Sequence, residues 1–435
     1  MKLPRLRMLS PQQQPLQASS AADQLSVTTN DGRPLIGGVA RLLPFLCIAC
    51  GLIVLIARRT DQLTDPQVWV EEGAQIIPAF LEHGAKAFLI PVNGYLTTAP
   101  KLITFLALAI GGLEHYPLVS TLLGLFFTAS VFFWIGTAPL IVRGVALMPL
   151  AVALVPSDPE VFVVPVYTVW FAGLALSSLV LWKPEDRSRV GARVIVALVC
   201  GLSTPVVIPL AVVGVLRALS IRARHETATA AALTIAAVAQ LWQLHAVPQS
   251  SSIPHPGEAV LVMARFLAYP LLLGLTAEPS PVWVWTIGAL HAVTLFAVLV
   301  PKESRRRRLA LLCLFLISAW TSIVRCQPPT LMHPVFAGPR YFFFPFVFLS
   351  WLWLDVLFST ARPAAKLVPA VAVALVLFST SMHFNRRHAH LEWQPAVRTL
   401  LSQGHATLPV HYDGSLTRQW ELKLAFCGDR LCKVP

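Results

Sequence analysis

The apolar residues of this chain come in long unbroken runs, and that limits its fold more than any other feature. PFLCIACGLIVLIA (44–57), LIVRGVALMPLAVALVP (140–156) and PAVAVALVLFSTSM (369–382) are apolar all round. A segment without a polar face needs lipid or protein on every side. In lipid, backbone groups must bond within the segment, so runs of this length become helices. The alternating pattern of a membrane barrel is absent. With 56% hydrophobic and 13% charged residues, 435 residues cannot build the charged surface of a soluble domain. The sequence predicts an all-α polytopic integral membrane protein.

Charge sets the expected topology. The net charge of +13 sits mostly in short segments between apolar runs, without the basic and aromatic interleaving of an RNA-binding surface. It reads as positive-inside anchoring, and nucleic acid is excluded as a partner. The basic clusters are Lys2 to Arg41, Lys183 to Arg193, Arg217 to Arg224, Lys302 to Arg308, and Arg362 with Lys366. The segments 58–94, 203–205, 248–258, 277–281 and 326–340 fall on the outer side. About eleven spans are expected at about 20 residues each. The N-terminus is then cytoplasmic and the C-terminus external.

Residues 1–40 are polar, Gln/Ser-rich and dotted with Pro, and read as a disordered cytoplasmic tail without a cleavable signal. Residues 41–383 form the transmembrane domain. Residues 384–435 form a small external region with a helix near 393–403 and strands near 407–424. Segment 193–217 carries a Ser203-Thr204-Pro205 break and reads as a broken or re-entrant pair. The spans within 95–166 do not phase; Arg143 favours the cytoplasm and its neighbours do not.

The loop at 61–101, DQLTDPQVWVEEGAQIIPAFLEHGAKAFLIPVNGYLTTAPK, concentrates acids: Asp61, Asp65, Glu71, Glu72 and Glu82. Val68, Trp69, Ile76, Ile77, Phe80 and Leu81 give it an apolar face suited to an interfacial helix. Adjacent carboxylates at a membrane surface suit general-base work on a hydroxyl, or metal binding. Acids that merely solvate an outer loop are the plain alternative. The segment 325–341, RCQPPTLMHPVFAGPRY, brings Arg325, His333, Arg340 and Tyr341 to the same side, where guanidinium groups suit an anionic headgroup. Snorkelling at helix ends is the alternative for both arginines. Asp158 and Glu160, in PSDPEVFVVPVYTVW (156–170), are the only acids of a long apolar region. They are candidate cavity acids, or first-turn residues of a helix. His411, Tyr412 and Asp413 in the tail are candidate ligand contacts, with plain surface residues as the alternative.

Cys47, Cys50, Cys200 and Cys313 lie in apolar runs and read as packing residues. Cys427 and Cys432 are disulfide candidates, with Cys326 as a third partner.

The VWVEEGAQIIPAFLEHG stretch followed by PVNGYLTTAPKLI resembles the first external loop of bacterial GT-C-type membrane glycosyltransferases. The related pattern is an aromatic residue, a small residue, Glu-Asp-Gly, an amphipathic stretch, then Tyr-x-Gly-Tyr-Leu and Pro-Arg. Trp69, Glu71, Glu72, Gly73, Gly94, Tyr95, Leu96, Pro100 and Lys101 fall on matching positions, and Asn93 precedes the Gly-Tyr pair. Two positions depart: Glu72 stands where Asp is usual, and Lys101 where Arg is usual. The match covers residues 61–101; elsewhere the likeness is one of topology.

The resemblance implies a GT-C-like bundle in a bacterial inner membrane. It implies transfer of a sugar from a polyprenyl-phosphate carrier to a glycan, lipid or protein acceptor on the outer face. Glu72 would be the base and Glu71 its helper, and Asp158 and Glu160 would lie in an external loop lining the cavity. Arg340, Arg325, Tyr341, His333, Lys101, Tyr95 and Asn93 would surround the donor, with Mg or Mn as a possible cofactor. A transporter or flippase of a lipid-linked sugar or other anion is the competing reading, favoured by the broken 193–217 segment. The concentration of acids in an outer loop favours the enzyme.

Overall fold

The computed structural model describes residues 37–246, 254–326, 328–359, 363–411, 420–427 and 430–434. The expectations for residues 1–36, Arg362, Tyr412, Asp413 and most of the 248–258 loop fall outside these residues. The chain divides into two contact units, Met1–Leu43 and Pro44–Pro435. In the first, only residues 37–43, the opening of the first helix, are described.

Among the described residues, sixteen α-helices and one small sheet follow in order. The first half holds α1 (Gly37–Arg58), α2 (Thr60–Thr64), α3 (Ile77–His83), α4 (Thr98–Gly111), α5 (Tyr116–Thr137), α6 (Met148–Ala153), α7 (Thr168–Val180) and α8 (Val190–Gly201). Then come α9 (Val207–Ile221), α10 (Arg224–Ala246), α11 (Pro256–Leu272), α12 (Pro281–Leu299), α13 (Lys302–Arg325), α14 (Arg340–Leu357), α15 (Pro363–Met382) and α16 (Trp393–Gln403). The strands β1 (His405–Val410), β2 (Trp420–Cys427) and β3 (Arg430–Lys433) make an antiparallel sheet in that order.

Six helices (α1, α5, α10, α12, α13 and α14) are long and apolar enough to cross a membrane, and five shorter apolar helices accompany them. Their outward faces carry Phe45, Ile53, Phe126, Ile235, Trp242, Val293 and Phe296 in the open. Water does not tolerate apolar surface on that scale. The architecture is that of a helical multi-pass membrane protein. Long helices alone account for fewer crossings than the eleven expected from the sequence.

The interior is aromatic. Helix α14 buries Phe342, Phe343, Phe344, Phe346, Phe348, Trp351 and Trp353. Gly173 of α7 allows the close approach: a Cβ there would meet the Phe344 ring at 2.4 Å.

At one end of the bundle, buried acids collect the basic clusters. Glu226 pairs with Arg193 at 2.9 Å and Arg217 at 2.7 Å. Asp355 pairs with Arg307 at 2.7 Å and Arg308 at 3.1 Å, and accepts the Arg143 backbone N–H at 3.0 Å. Arg143 thus lies with the Arg307 and Arg308 cluster. Helix α5 runs from there to the end that carries the sheet.

The broken segment appears as α8 and α9, separated at 202–206. Its polar groups are satisfied within the protein. The Leu202 carbonyl accepts from the Thr98 backbone N–H and hydroxyl, and buried Gln240 donates to the carbonyls of Gly201 and Leu96.

Helix α4 starts at Thr98, on the Leu202 carbonyl. It ends beside Leu113, whose carbonyl accepts the Trp393 indole N–H at 2.8 Å.

The tail expected at 384–435 is α16 packed on the three strands. Gly404, at φ 79°, ends α16 in a left-handed conformation that favours glycine. Cys427 and Cys432 are joined as a disulfide across β2 and β3. Cys326 is free, as are Cys50 and Cys313, which face outward instead of packing inside.

Candidate functional site

The 61–101 segment folds into short pieces instead of one interfacial helix. A π-helical turn, Glu72–Ile76, leads into α3. Its apolar residues Val68, Trp69, Ile76, Ile77 and Phe80 are buried in protein, so the lipid-facing role expected of them is not taken up. The reason is the tail. The His411 N–H donates to the Val68 carbonyl at 2.7 Å, extending β1 alongside Trp69. Gly73 admits Val410, which would stand 2.5 Å from a Cβ at that position.

This wedge sends the two adjacent carboxylates to different environments. Glu72 is 1% exposed. Its Oε1 accepts the Tyr116 hydroxyl at 2.9 Å, and Tyr116 is 3.0 Å from the Thr104 hydroxyl. Burial raises the Glu72 carboxyl to about 8, against the pull of the Tyr116 hydrogen bond. Around it lie Val68, Ile77, Ala107, Leu408 and Val410 of the apolar cluster shared with the tail.

Glu71 turns the other way. Burial raises its carboxyl too, offset by the charge of Arg340, with Glu160 adding to the rise. Its buried Oε2 has no hydrogen-bond partner among the described residues. Arg340, one-third exposed, donates to Glu160 Oε1 at 2.6 Å and to the Tyr167 hydroxyl at 3.1 Å. Tyr167 donates to the same Glu160 oxygen at 2.7 Å, while Glu160 Oε2 is buried without a partner among the described residues.

The wall is completed by the 92–95 turn. Val92 and Tyr95 exchange backbone hydrogen bonds at 3.0 and 3.2 Å, with Asn93 at φ 50° and Gly94 at φ 83°. Asn-Gly with both residues at positive φ is the expected tight-hairpin chemistry. The turn presents Tyr95 under the Arg325 guanidinium, 5.7 Å from the ring centre, and Arg325 donates to the Asn93 carbonyl at 3.5 Å. Arg340 stands 5.4 Å over the Tyr341 ring. Glu71, Glu160, Tyr95, Asn93, Arg325, Arg340 and Tyr341 therefore share one region.

Three expected members do not join it as donor-binding groups. Lys101 donates its ammonium to the carbonyls of Phe88 and Ile90 and lines a different cleft. Asp158 pairs with Arg386 and its N–H donates to the Pro334 carbonyl at 2.8 Å. His333 accepts the N–H groups of Val335 and Phe336 at Nδ1 and donates to the Ala277 carbonyl from Nε2, 3.1 Å away. Burial lowers His333 to about 4, so it is a neutral organiser of its loop and not a cation for a headgroup. His411 is likewise lowered to about 4 by burial, with its ring 4.7 Å from that of Trp69. That packing leaves no sugar-contact role visible for it.

The sequence reading missed the scaffold behind this wall. Arg58 is fully buried and donates to the carbonyls of Ala153, Val155 and Ser157, at 2.8, 2.9 and 2.5 Å. Arg59 pairs with Asp61 at 2.9 Å and donates to the Pro159 and Glu160 carbonyls. Burial acts against the charged form of Asp61, but hydrogen bonds from His388 and Arg59 hold it at about 2. The clue in the sequence was a basic pair at the expected outer end of a span, against the positive-inside bias.

A divalent cation fits this region poorly. The Arg340 guanidinium already occupies the Glu160 oxygen nearest Tyr167, and no group of three or more His, Cys, Asp or Glu is placed to hold a metal among the described residues. Comparison with protein-family models, with curated proteins and with solved structures found no match for this chain.

Proposed function

We propose that the protein is a membrane transferase of GT-C type, which moves a sugar from a polyprenyl-phosphate carrier to a hydroxyl at the sheet-bearing face. That face would be external, with the N-terminus cytoplasmic, in a bacterial inner membrane, and the shorter apolar helices would complete about eleven crossings. The observation that carries this reading is the half-open cluster of Glu71, Glu160 and Arg340 beside Arg325. It joins a desolvated carboxylate with an unused oxygen to two guanidinium groups.

In this reading Glu71, not Glu72, is the base. Burial raises its carboxyl, which makes it a stronger base than an ordinary carboxylate. The acceptor hydroxyl loses its proton to Glu71 Oε2 as its oxygen attacks the anomeric carbon and the bond to the carrier phosphate breaks. Arg340 and Arg325 offset the charge on the departing phosphate. Glu160 and Tyr167 position Arg340. Glu72, sealed behind Gly73, sets the direction of the turn. No step is routed through a metal.

The transporter reading is weaker, because the break between α8 and α9 bonds its Gly201 and Leu202 carbonyls to Gln240 and Thr98 within the protein. The test compares Glu71→Gln and Glu72→Gln in membranes supplied with a polyprenyl-phosphate sugar. Loss of transfer in Glu71→Gln with retention in Glu72→Gln supports the assignment; full transfer by Glu71→Gln removes it.

A further inference from the structure

On the far side of the 74–92 segment lies a cleft of about 280 Å³ that shares no residue with the Glu71–Arg340 cluster. Its polar lining is Gln75, Glu82, His83, Lys101 and Lys433. Lys101 is 1% exposed, and its ammonium donates to the carbonyls of Phe88 and Ile90. Those bonds use two of its three protons. Lys433, at the end of β3, donates to the Ala74 carbonyl at 3.2 Å. The partners of both ammonium groups are neutral dipoles. A buried cation offset only by dipoles is costly, and an anion in the cleft would relieve that cost. The one carboxylate in the lining, Glu82, sits at the exposed rim beside the His83 ring at 3.7 Å. Gln75 already donates to the Asn93 side chain at 3.2 Å.

The surroundings place the cleft against lipid. Lys101 points inward from α4, whose other face exposes Leu102, Phe105 and Ile110. The Phe105 ring packs at a tilt against Phe80 and Phe88, and Leu89 is exposed. The exposed Leu102, Phe105 and Ile110 form the face that α4 turns toward lipid.

We propose that this cleft binds a phosphate group at the membrane surface, held by Lys101 and Lys433. An anionic phospholipid headgroup is the source that the apolar face of α4 favours; free phosphate is the other source of the same chemistry. The inference does not depend on the transferase reading, and its test reads binding only.

The full chain is reconstituted in phosphatidylcholine nanodiscs with and without phosphatidylglycerol, and lipid retained through detergent extraction is measured by native mass spectrometry. In parallel, its thermal stability is followed with inorganic phosphate in detergent. Loss of one charge-assisted contact is expected to lower phosphatidylglycerol retention about tenfold in Lys433→Ala, and likewise in Lys101→Met. Stabilisation by inorganic phosphate, without preferential lipid retention and lost in both variants, supports the site and assigns it to a free anion. Lys433 is exposed, so Lys433→Ala remains decisive if Lys101→Met does not fold. Equal retention and equal phosphate response in wild type and Lys433→Ala overturn the proposal.

Discussion

Replacing Glu72 by Gln isolates the cost of burying a carboxylate at the seam between the loop and the tail. The amide keeps the shape and can still accept the Tyr116 hydroxyl bond, now 2.9 Å long. What disappears is the titration. Glu72 is held at about 8 in the folded protein against 4.5 for the ordinary group. The folded state therefore binds this proton more tightly than the unfolded chain. Its contribution is complete below pH 4.5 and is lost as pH rises through 8. At about 1.4 kcal/mol per pK unit, the span amounts to about 5 kcal/mol. The assay is denaturation of purified wild type and Glu72→Gln in one detergent from pH 5 to 9, followed by tryptophan fluorescence. Wild type is expected to lose stability steadily across this range, while Glu72→Gln loses markedly less and exceeds wild type near pH 9. Parallel pH profiles for the two proteins would refute the sealed, protonated carboxyl.

Four further outcomes follow from specific contacts. Gly73→Ala drives a methyl into Val410 and should cost about 1–3 kcal/mol, seen as a lower melting temperature; an unchanged value would mean the tail is not seated on the turn. Arg58→Met takes the guanidinium from three buried carbonyls, of which Val155 keeps the Ser157 N–H, and should destabilise by about 2 kcal/mol in the same assay. Asp355→Asn leaves Arg307 and Arg308 without their carboxylate, and a penalty near 3–5 kcal/mol should appear as a collapse in folded yield; normal yield would contradict the buried triad. Arg340→Lys keeps the charge but gives up the planar fork that reaches Glu160 and Tyr167, and transfer should fall about 10²-fold with expression maintained.

The sequence by itself determined the solvent of this chain and much of its local structure. Apolar runs such as 44–57 have no polar face, so they become helices that expose Phe45 and Ile53 to lipid. Asn93-Gly94 made its turn and Gly404 ended α16, because these depend on backbone conformations that few residues adopt. The tail helix at 393–403 and the break between α8 and α9 were legible for the same local reasons. The sequence also marked most members of the candidate site, since acids and arginines are rare in such a chain. Only tertiary structure decided which of them meet. Glu71 and Glu72 are neighbours in sequence, yet the π-helical turn and the approach of Val410 send one to Arg340 and seal the other behind Tyr116. His333 looks like a phosphate ligand until the carbonyl it bonds comes into view, and Lys101 turns to a different cleft from the one that Glu71 and Arg340 share. Burial and partner geometry are set by segments a hundred or more residues apart, and no local pattern carries that information.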